Sequence, residues 1–178
     1  IVGLVNRSKV DLPEELAHYR LFNEFHAALE ATKPDLAVIA TYSDSHADFA
    51  CAAMAAGAHV FVEKPLAINR AELTRIDEIA TAGNDRLMVG FNRRFSEPIR
   101  SIRKLFERVG EPLVITYRVN AGFIPPEHWV QLESQGGRII GEGCHFIDTM
   151  QYLTGGARPL NVYAAAIGSD NARGRNAD

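Results

Sequence analysis

The chain has 178 residues, and its 19 Lys and Arg against 22 Asp and Glu give a formal net charge of −3. Hydrophobic residues make up 47% and charged residues 23%, which excludes a disordered tail, a collagen-like rod and a disulfide-stapled miniprotein. The slightly acidic balance argues against nucleic acid as the main partner, because phosphate binding needs a clustered excess of Lys and Arg. No run of about 18 apolar residues is present, so no membrane span is expected.

Short apolar runs alternate with helical stretches in the first half of the chain. Strands are predicted at residues 1–5, 35–40, 59–62 and 87–91, and helices at 22–31, 45–56 and 69–82. Asn69 and Glu72 have the spacing of a capping pair, while Gly57 and Gly83 are predicted to end helices. Short apolar strands separated by longer helices predict a parallel sheet covered on both faces, that is, an α/β fold with a partial Rossmann-type sheet.

The pattern changes at residues 91–94, where the buried strands stop. A helix is predicted at 96–109, a half-exposed strand at 113–120, a loop at 121–138, a helix at 141–153 and a strand at 160–167. The tail from residue 169 is polar and predicted to be frayed. The sequence therefore predicts two domains, residues 1–93 and 94–178.

Polar side chains follow each predicted strand of the first half, at residues 6–8, 41–46, 63–65 and 92–94. Right-handed crossovers place the carboxyl ends of parallel strands on one edge, and ligands bind outside that edge in doubly wound sheets. Four polar clusters on one edge predict a binding site there. His46 could contact a cofactor, although capping or surface polarity explains it equally well.

Lys64 is the most informative of these residues. Pro65 keeps Lys64 out of the helical region and removes a backbone donor, so the ammonium group can project to a fixed point. Its functional interpretation is substrate positioning and electrostatic stabilisation of an alkoxide. The alternative is a surface Glu63–Lys64 pair at a turn.

His145 is the second candidate. Helical spacing places Glu142, His145, Asp148 and Thr149 near one face, with apolar residues 146, 150 and 153 on the other. A histidine there suits general acid–base chemistry, with Glu142 or Asp148 to orient it; the alternative is a structural histidine. A metal site is not expected, because no ligands have zinc spacing.

Four segments together resemble the Gfo/Idh/MocA family of NAD(P)-dependent oxidoreductases. They are residues 40–46 (ATYSDSH), 57–66 (GAHVFVEKPL), 90–95 (GFNRRF) and 136–148 (GGRIIGEGCHFID). The glycine-flanked Glu-Lys-Pro is the specific part. Residues 91–95 and 117–122 also resemble a branch in which this module is fused to a zinc-type alcohol dehydrogenase-like domain.

The resemblance implies a dinucleotide-binding domain followed by an α/β domain with an open, mainly antiparallel sheet. It implies hydride transfer between NAD or NADP and a hydroxyl-bearing carbon of a sugar, sugar nucleotide or cyclitol. Lys64 takes the catalytic Lys position and His145 the catalytic His position, and a cis Lys64–Pro65 peptide bond is frequent in the family. The implied cofactor-binding positions are Asn6, Arg7, Thr41, Tyr42, Ser43, His46, Glu63, Lys64, Pro65 and Arg94.

The sequence departs from the family pattern in three ways. It lacks the GxGxxG turn and the strand before that turn. It has Gly141 where the family often has Asp, with Glu142 next to it as a substitute. It also contains only two predicted strands of the second sheet. We therefore expect an incomplete module of a longer protein. A non-catalytic dinucleotide or sugar sensor and an inactive fragment stay open as alternatives.

Further expectations concern the cofactor preference, the cysteines and the oligomeric state. Arg7 has the charge to pair with a 2′-phosphate, and Asn6 replaces the acidic residue that would repel it, which weakly favours NADP. Cys51 and Cys144 are expected to be free thiols in a reducing cytoplasm. The complete protein is expected to be a homo-oligomer acting on a small polyol or sugar.

Overall fold

The computed structural model describes residues 1–82, 86–107 and 112–165. The chain divides into two compact units, an N-terminal unit of Ile1–Val89 and a C-terminal unit of Gly90–Asp178. The division falls before residue 93 because the 3₁₀ turn Asn92–Phe95 packs against the helices of the C-terminal unit.

The N-terminal unit contains five strands and three helices among its described residues. The strands are β1 (Leu4–Val5), β2 (Leu21–Phe22), β3 (Leu36–Ile39), β4 (His59–Val62) and β5 (Leu87–Val89), and the helices are α1 (Phe25–Thr32), α2 (Ser43–Ala55) and α3 (Arg70–Ala82). A short 3₁₀ turn spans Glu14–Leu16. All strand pairs are parallel, which confirms the predicted Rossmann-type α/β fold.

The strands form two sheets rather than one. β1 pairs with β2, and β3, β4 and β5 form a separate sheet in that order. The predicted helix at 22–31 is wrong at its start, because Phe22 pairs with Val5 in the first sheet and α1 begins only at Phe25. The strands predicted at 1–5 and 87–91 are shorter than expected, because β1 covers only Leu4–Val5 and β5 only Leu87–Val89.

One face of the larger sheet carries the core. Ile39 and Val62 point inward with at most 2% exposure, against Ala-rich α2 and against Ile76 of α3. Small alanine side chains let a helix approach the strands closely, so this packing follows from the sequence of α2. The opposite face remains open among the described residues, with Val38 66% exposed and Met88 49% exposed. The expectation that both faces are covered is therefore wrong for this part of the chain.

Local signals predicted the start of α3 and the end of α2. The backbone N–H of Glu72 donates to Oδ1 of Asn69 at 2.9 Å, and Nδ2 of Asn69 donates to Oε1 of Glu72 at 2.7 Å. This confirms the predicted capping pair at the start of α3. Gly57 follows α2 with a φ of +87°, the left-handed conformation that favours glycine after a helix. Gly83 lies outside the described residues.

The C-terminal unit contains two α-helices among its described residues, α4 (Glu97–Phe106) and α5 (Cys144–Leu153). A π-helical turn, Ile139–Gly143, leads into α5, so only the second part of the predicted helix at 141–153 is α-helical. The predicted loop at 121–138 contains two short 3₁₀ turns, Trp129–Gln131 and Glu133–Gln135. The predicted helix at 96–109 corresponds to α4, and its last two predicted residues, 108–109, lie outside the described residues.

No strand is present in the described part of the C-terminal unit. The predicted strand at 113–120 is not paired with any described strand, and Val114 is 97% exposed. Residues 160–165 of the last predicted strand are likewise unpaired, and 166–167 lie outside the described residues, as does the polar tail. Alternation suits a strand, but a strand forms only where a neighbour accepts its backbone hydrogen bonds. The expected antiparallel sheet is therefore absent from this described part.

Candidate functional site

The carboxyl edge of the larger sheet is shaped by the chain between β3 and α2. Thr41 and Tyr42 follow β3 and are exposed, and α2 begins immediately after them at Ser43. The hydroxyl groups of Thr41 and Ser45 lie 2.7 Å apart, and the Ser45 hydroxyl donates to the Tyr42 carbonyl at 2.8 Å. These contacts hold hydroxyl groups and the first N–H groups of α2 at the strand ends, where a polar ligand can reach them.

His46 lies beneath this edge rather than on it, with 1% of its surface exposed. Its Nδ1 is 2.7 Å from the Pro65 carbonyl oxygen, and its Nε2 is 3.0 Å from the Thr41 carbonyl oxygen. The ring thus links the loop after β3 to the loop after β4. The sequence had suggested a cofactor contact, a cap or a surface position, and this buried bridge is a role that spacing alone did not reveal.

The loop after β4 carries the Glu-Lys-Pro segment. The backbone N–H of Glu63 donates to the Ile39 carbonyl at 2.8 Å, so pairing with β3 continues past the end of β4. Oε2 of Glu63 accepts from the Lys64 N–H at 3.3 Å, and the Lys64–Pro65 peptide bond is cis, as the resemblance implied. Lys64 is half-buried, and it lies at the carboxyl edge that the sequence predicted.

Asn6 and Arg7 follow β1, at the carboxyl end of the smaller sheet. Both side chains are exposed, and the Asn6 N–H donates to the Phe22 carbonyl at 3.0 Å. They therefore end a parallel strand as expected, but not a strand of the same sheet as β3 and β4.

In the C-terminal unit, Arg94 binds Asp148. Its Nε donates to Oδ2 of Asp148 at 3.0 Å, and its Nη2 donates to Oδ1. The hydrogen bond to this carboxylate raises the pKa of Arg94, and the guanidinium also lies over the Tyr152 ring. The sequence placed Arg94 among the cofactor contacts and Asp148 among the residues that could orient His145. The structure pairs the two with each other.

His145 lies on the face of α5 that is packed inward, and it is 7% exposed. The Phe91 ring meets its imidazole edge-on, with centroids 6.2 Å apart. Asp148, Thr149 and Leu153 are buried on the same side of the helix, so the predicted separation of a polar face from an apolar face containing Leu153 is wrong. The i, i+4, i+8 spacing of His145, Thr149 and Leu153 explains why they share a side.

Glu142 belongs to the π-helical turn before α5 and lines a cavity of about 550 Å³ within the C-terminal unit. His145 is not among the cavity's lining residues, although its neighbour Phe146 is. Within the described ranges, no group of three or more His, Cys, Asp and Glu side chains could hold a metal ion. No helix in the same ranges is both long and apolar enough to cross a bilayer.

Comparisons with known proteins agree with this geometry. The family model GFO_IDH_MocA, described as an oxidoreductase family with an NAD-binding Rossmann fold, matches residues 1–91. Inositol 2-dehydrogenase of Rhizobium meliloti is 32% identical over 85% of this chain and 46% of its own length. Myo-inositol 2-dehydrogenase of Thermotoga maritima is 26% identical over 82% of this chain and 43% of its own length.

Among solved structures, an NAD-binding protein from Listeria innocua is similar with a TM-score of 0.69 and 30% identity, over 86% of this chain and 47% of that one. The chain thus spans a little under half the length of the curated relatives it matches. The resemblance to modules fused with zinc-type alcohol dehydrogenase-like domains stays a prediction. Because the family model covers half of the sequence and the parallel sheet has the matching fold, the chain belongs to the Gfo/Idh/MocA family of oxidoreductases.

Proposed function

We propose that this chain is part of a nicotinamide-dependent dehydrogenase that oxidises a secondary alcohol of a sugar or cyclitol. The observation that carries the proposal is the carboxyl edge of β3 and β4, where exposed Thr41 and Tyr42, the start of α2 and Lys64 follow adjacent parallel strands. Two curated relatives are named as inositol 2-dehydrogenases, which supports a cyclitol-like substrate.

The residues at this edge suit part of a dinucleotide. The Thr41 and Ser45 hydroxyls offer hydrogen bonds, and the N-terminus of the 13-residue helix α2 favours negative charge. The sequence has no GxGxxG turn, so the fit concerns these strand-end contacts alone. We assign Thr41, Tyr42, Ser43, Glu63, Lys64 and Pro65 to this contact region, with Asn6 and Arg7 at the end of β1.

Arg7 sets the proposed cofactor preference. It is exposed at a strand end, and the neighbouring Asn6 carries no charge that would repel a 2′-phosphate. We therefore propose a weak preference for NADP over NAD. Replacing Arg7 with Ala should weaken NADPH binding more than NADH binding.

The chemistry assigned to the side chains follows from what alcohol oxidation requires. The carbon loses a hydride, which the nicotinamide accepts when bound, and the hydroxyl loses a proton. We propose that the His145 imidazole accepts the proton and that the Lys64 ammonium stabilises negative charge on the oxygen. Glu142 is assigned to hydrogen bonding with the substrate or with His145. The complete protein is proposed to be a cytoplasmic homo-oligomer.

A fluorescence titration of the chain with NADH, and separately with NADPH, tests the proposal. Saturable binding is expected, and Thr41→Val should weaken it because the variant loses a hydroxyl at the strand end. Thr74→Val is the matched control, since Thr74 lies exposed on α3 away from this edge. A folded chain that binds neither nucleotide would overturn the assignment of these residues as a sufficient cofactor site.

A further inference from the structure

The cavity of the C-terminal unit has a charged wall that the proposed function does not explain. Its volume of about 550 Å³ lies within the usual range of small-molecule sites. Three charged side chains line it, Arg93, Arg138 and Glu142, and His128 is also in the lining. Two guanidinium groups against one carboxylate give this lining a net charge of +1 when His128 is neutral.

Arg93 and Arg138 differ from two other arginines of this unit in their described ion pairs. Elsewhere in the same unit, Arg94 binds Asp148 and Arg103 binds Glu107. Neither Arg93 nor Arg138 forms an ion pair within residues 90–107 and 112–165. The lining therefore keeps its net charge of +1 without a described ion pair at either arginine.

Arg93 also contacts an aromatic ring of the same cavity lining. Its guanidinium lies over the Phe146 ring, 4.9 Å from the centroid, and Phe146 lines the same cavity. A guanidinium can contact an aromatic ring and also bind an oxyanion through its N–H groups.

We propose that this cavity binds the oxyanion of an acidic polyol, a carboxylate or a phosphate, through Arg93 and Arg138. Glu142, on the same wall, would accept hydrogen bonds from the hydroxyl groups of that ligand. A neutral polyol would leave the net charge of +1 on this lining without an opposing charge. The inference deepens the proposed function, on which it rests for the polyol nature of the substrate.

Isothermal titration of the chain with glucuronate, glucose 6-phosphate and glucose tests this inference. At least one of the two acidic ligands should bind about tenfold or more tightly than glucose, the order expected for charge-assisted hydrogen bonds. The two acidic arms distinguish a carboxylate from a phosphate. Added KCl should weaken binding of the acidic ligand and leave glucose binding unchanged.

Substitutions of the two cavity arginines test whether they cause the preference for the acidic ligand. Arg93→Gln and Arg138→Gln should each remove most of the preference for the acidic ligand, while Arg158→Gln should retain it. Arg158 is an exposed arginine of the same unit outside the cavity lining, so its loss changes the net charge equally. Circular dichroism melting of each variant checks that it is folded.

Equal affinity for acidic and neutral ligands, no binding of any of the three, or a preference that survives both cavity variants would overturn the inference. The NADH titration reports separately on the proposed function. Nucleotide binding without anion preference removes only this inference, whereas anion preference without nucleotide binding removes the proposed dehydrogenase site and leaves an anion-binding cavity.

Discussion

The Nδ1 atom of His46 lies 2.7 Å from the carbonyl oxygen of Pro65, nineteen residues further along the chain. With Nε2 of the same ring 3.0 Å from the Thr41 carbonyl oxygen, one buried imidazole joins the two loops that end β3 and β4. These loops carry Thr41 and Lys64, two of the residues assigned to the candidate site. His46 thus fixes the backbone that positions them.

Replacing His46 with Ala should therefore destabilise the N-terminal unit. Two contacts to buried or partly buried carbonyl groups are lost and a space is left, which together cost about 2–4 kcal/mol of unfolding free energy. Urea unfolding followed by circular dichroism measures the change. His26→Ala, an exposed histidine of α1, should alter the free energy by less than about 0.5 kcal/mol. Equal effects of the two variants would contradict the bridging role.

The assigned chemistry predicts how substitutions of His145 and Lys64 change the turnover number. In a preparation that oxidises a polyol, His145→Ala should lower kcat by about 10²–10⁴-fold, with little change in cofactor affinity, because it removes the proton acceptor. Lys64→Ala should also reduce kcat, and Lys104→Ala, an exposed lysine of α4, should not. Steady-state kinetics and nucleotide titration measure these quantities. An equal loss of turnover and cofactor affinity in His145→Ala would exclude the assigned role.

The pair of Arg94 and Asp148 should contribute more to stability than an exposed pair does. The side chains of Arg94 and Asp148 are 35% and 7% exposed, so removal of Arg94 leaves the Asp148 carboxylate poorly solvated. A double-mutant cycle of Arg94→Gln and Asp148→Asn should give a coupling energy of about 1–3 kcal/mol from urea unfolding.

The exposed pair of Arg75 and Asp48 provides a matched control. These side chains are 47% and 65% exposed and lie 2.5 Å apart. The cycle of Arg75→Gln and Asp48→Asn should give less than about 1 kcal/mol, because solvent screens the interaction. Similar coupling energies in the two cycles would show that burial of Asp148 adds nothing to its ion pair.

The two cysteines should differ in reactivity. Burial raises the pKa of the Cys51 thiol above its ordinary value of 9.0, although nearby Arg75 opposes the shift. Cys144 is only partly buried. A chromogenic disulfide reagent at pH 8 should modify Cys144 first, and Cys144→Ser should leave a slowly reacting protein.

The raised pKa of Cys51 also predicts how the free energy of unfolding changes at alkaline pH. Above pH 9 the unfolded chain releases the thiol proton while the folded chain retains it, so unfolding free energy should fall as pH rises. Cys51→Ala should show a smaller fall between pH 9 and the pKa of the folded protein. Identical pH profiles for the parent chain and this variant would contradict the shift.

Much of the N-terminal unit could be predicted because its signals are local. Short apolar runs predicted β3 and β4, and the spacing of Asn69 and Glu72 predicted the start of α3. The Glu-Lys-Pro segment was expected at the carboxyl edge of a parallel sheet and lies there. These features depend on side chains within a few residues of one another.

The C-terminal unit shows where local patterns fail. Residues 113–120 alternate as a strand does, but the described structure provides no neighbouring strand to accept their hydrogen bonds. The polar residues of α5 were expected on a face separate from its apolar residues, yet Asp148 is buried because Arg94, 54 residues earlier in the chain, supplies its counter-charge. A periodic pattern cannot specify such a distant partner.

The sequence by itself determined the alternation of strands and helices, the family resemblance and the edge where polar residues follow the strands, because each depends on local spacing or on a short motif. Only the tertiary structure decided that His46 bridges two backbone carbonyls, that Arg94 binds Asp148 and that Arg93 and Arg138 line one cavity. These arrangements depend on which distant segments pack together, since burial and counter-charge come from residues far apart in the chain.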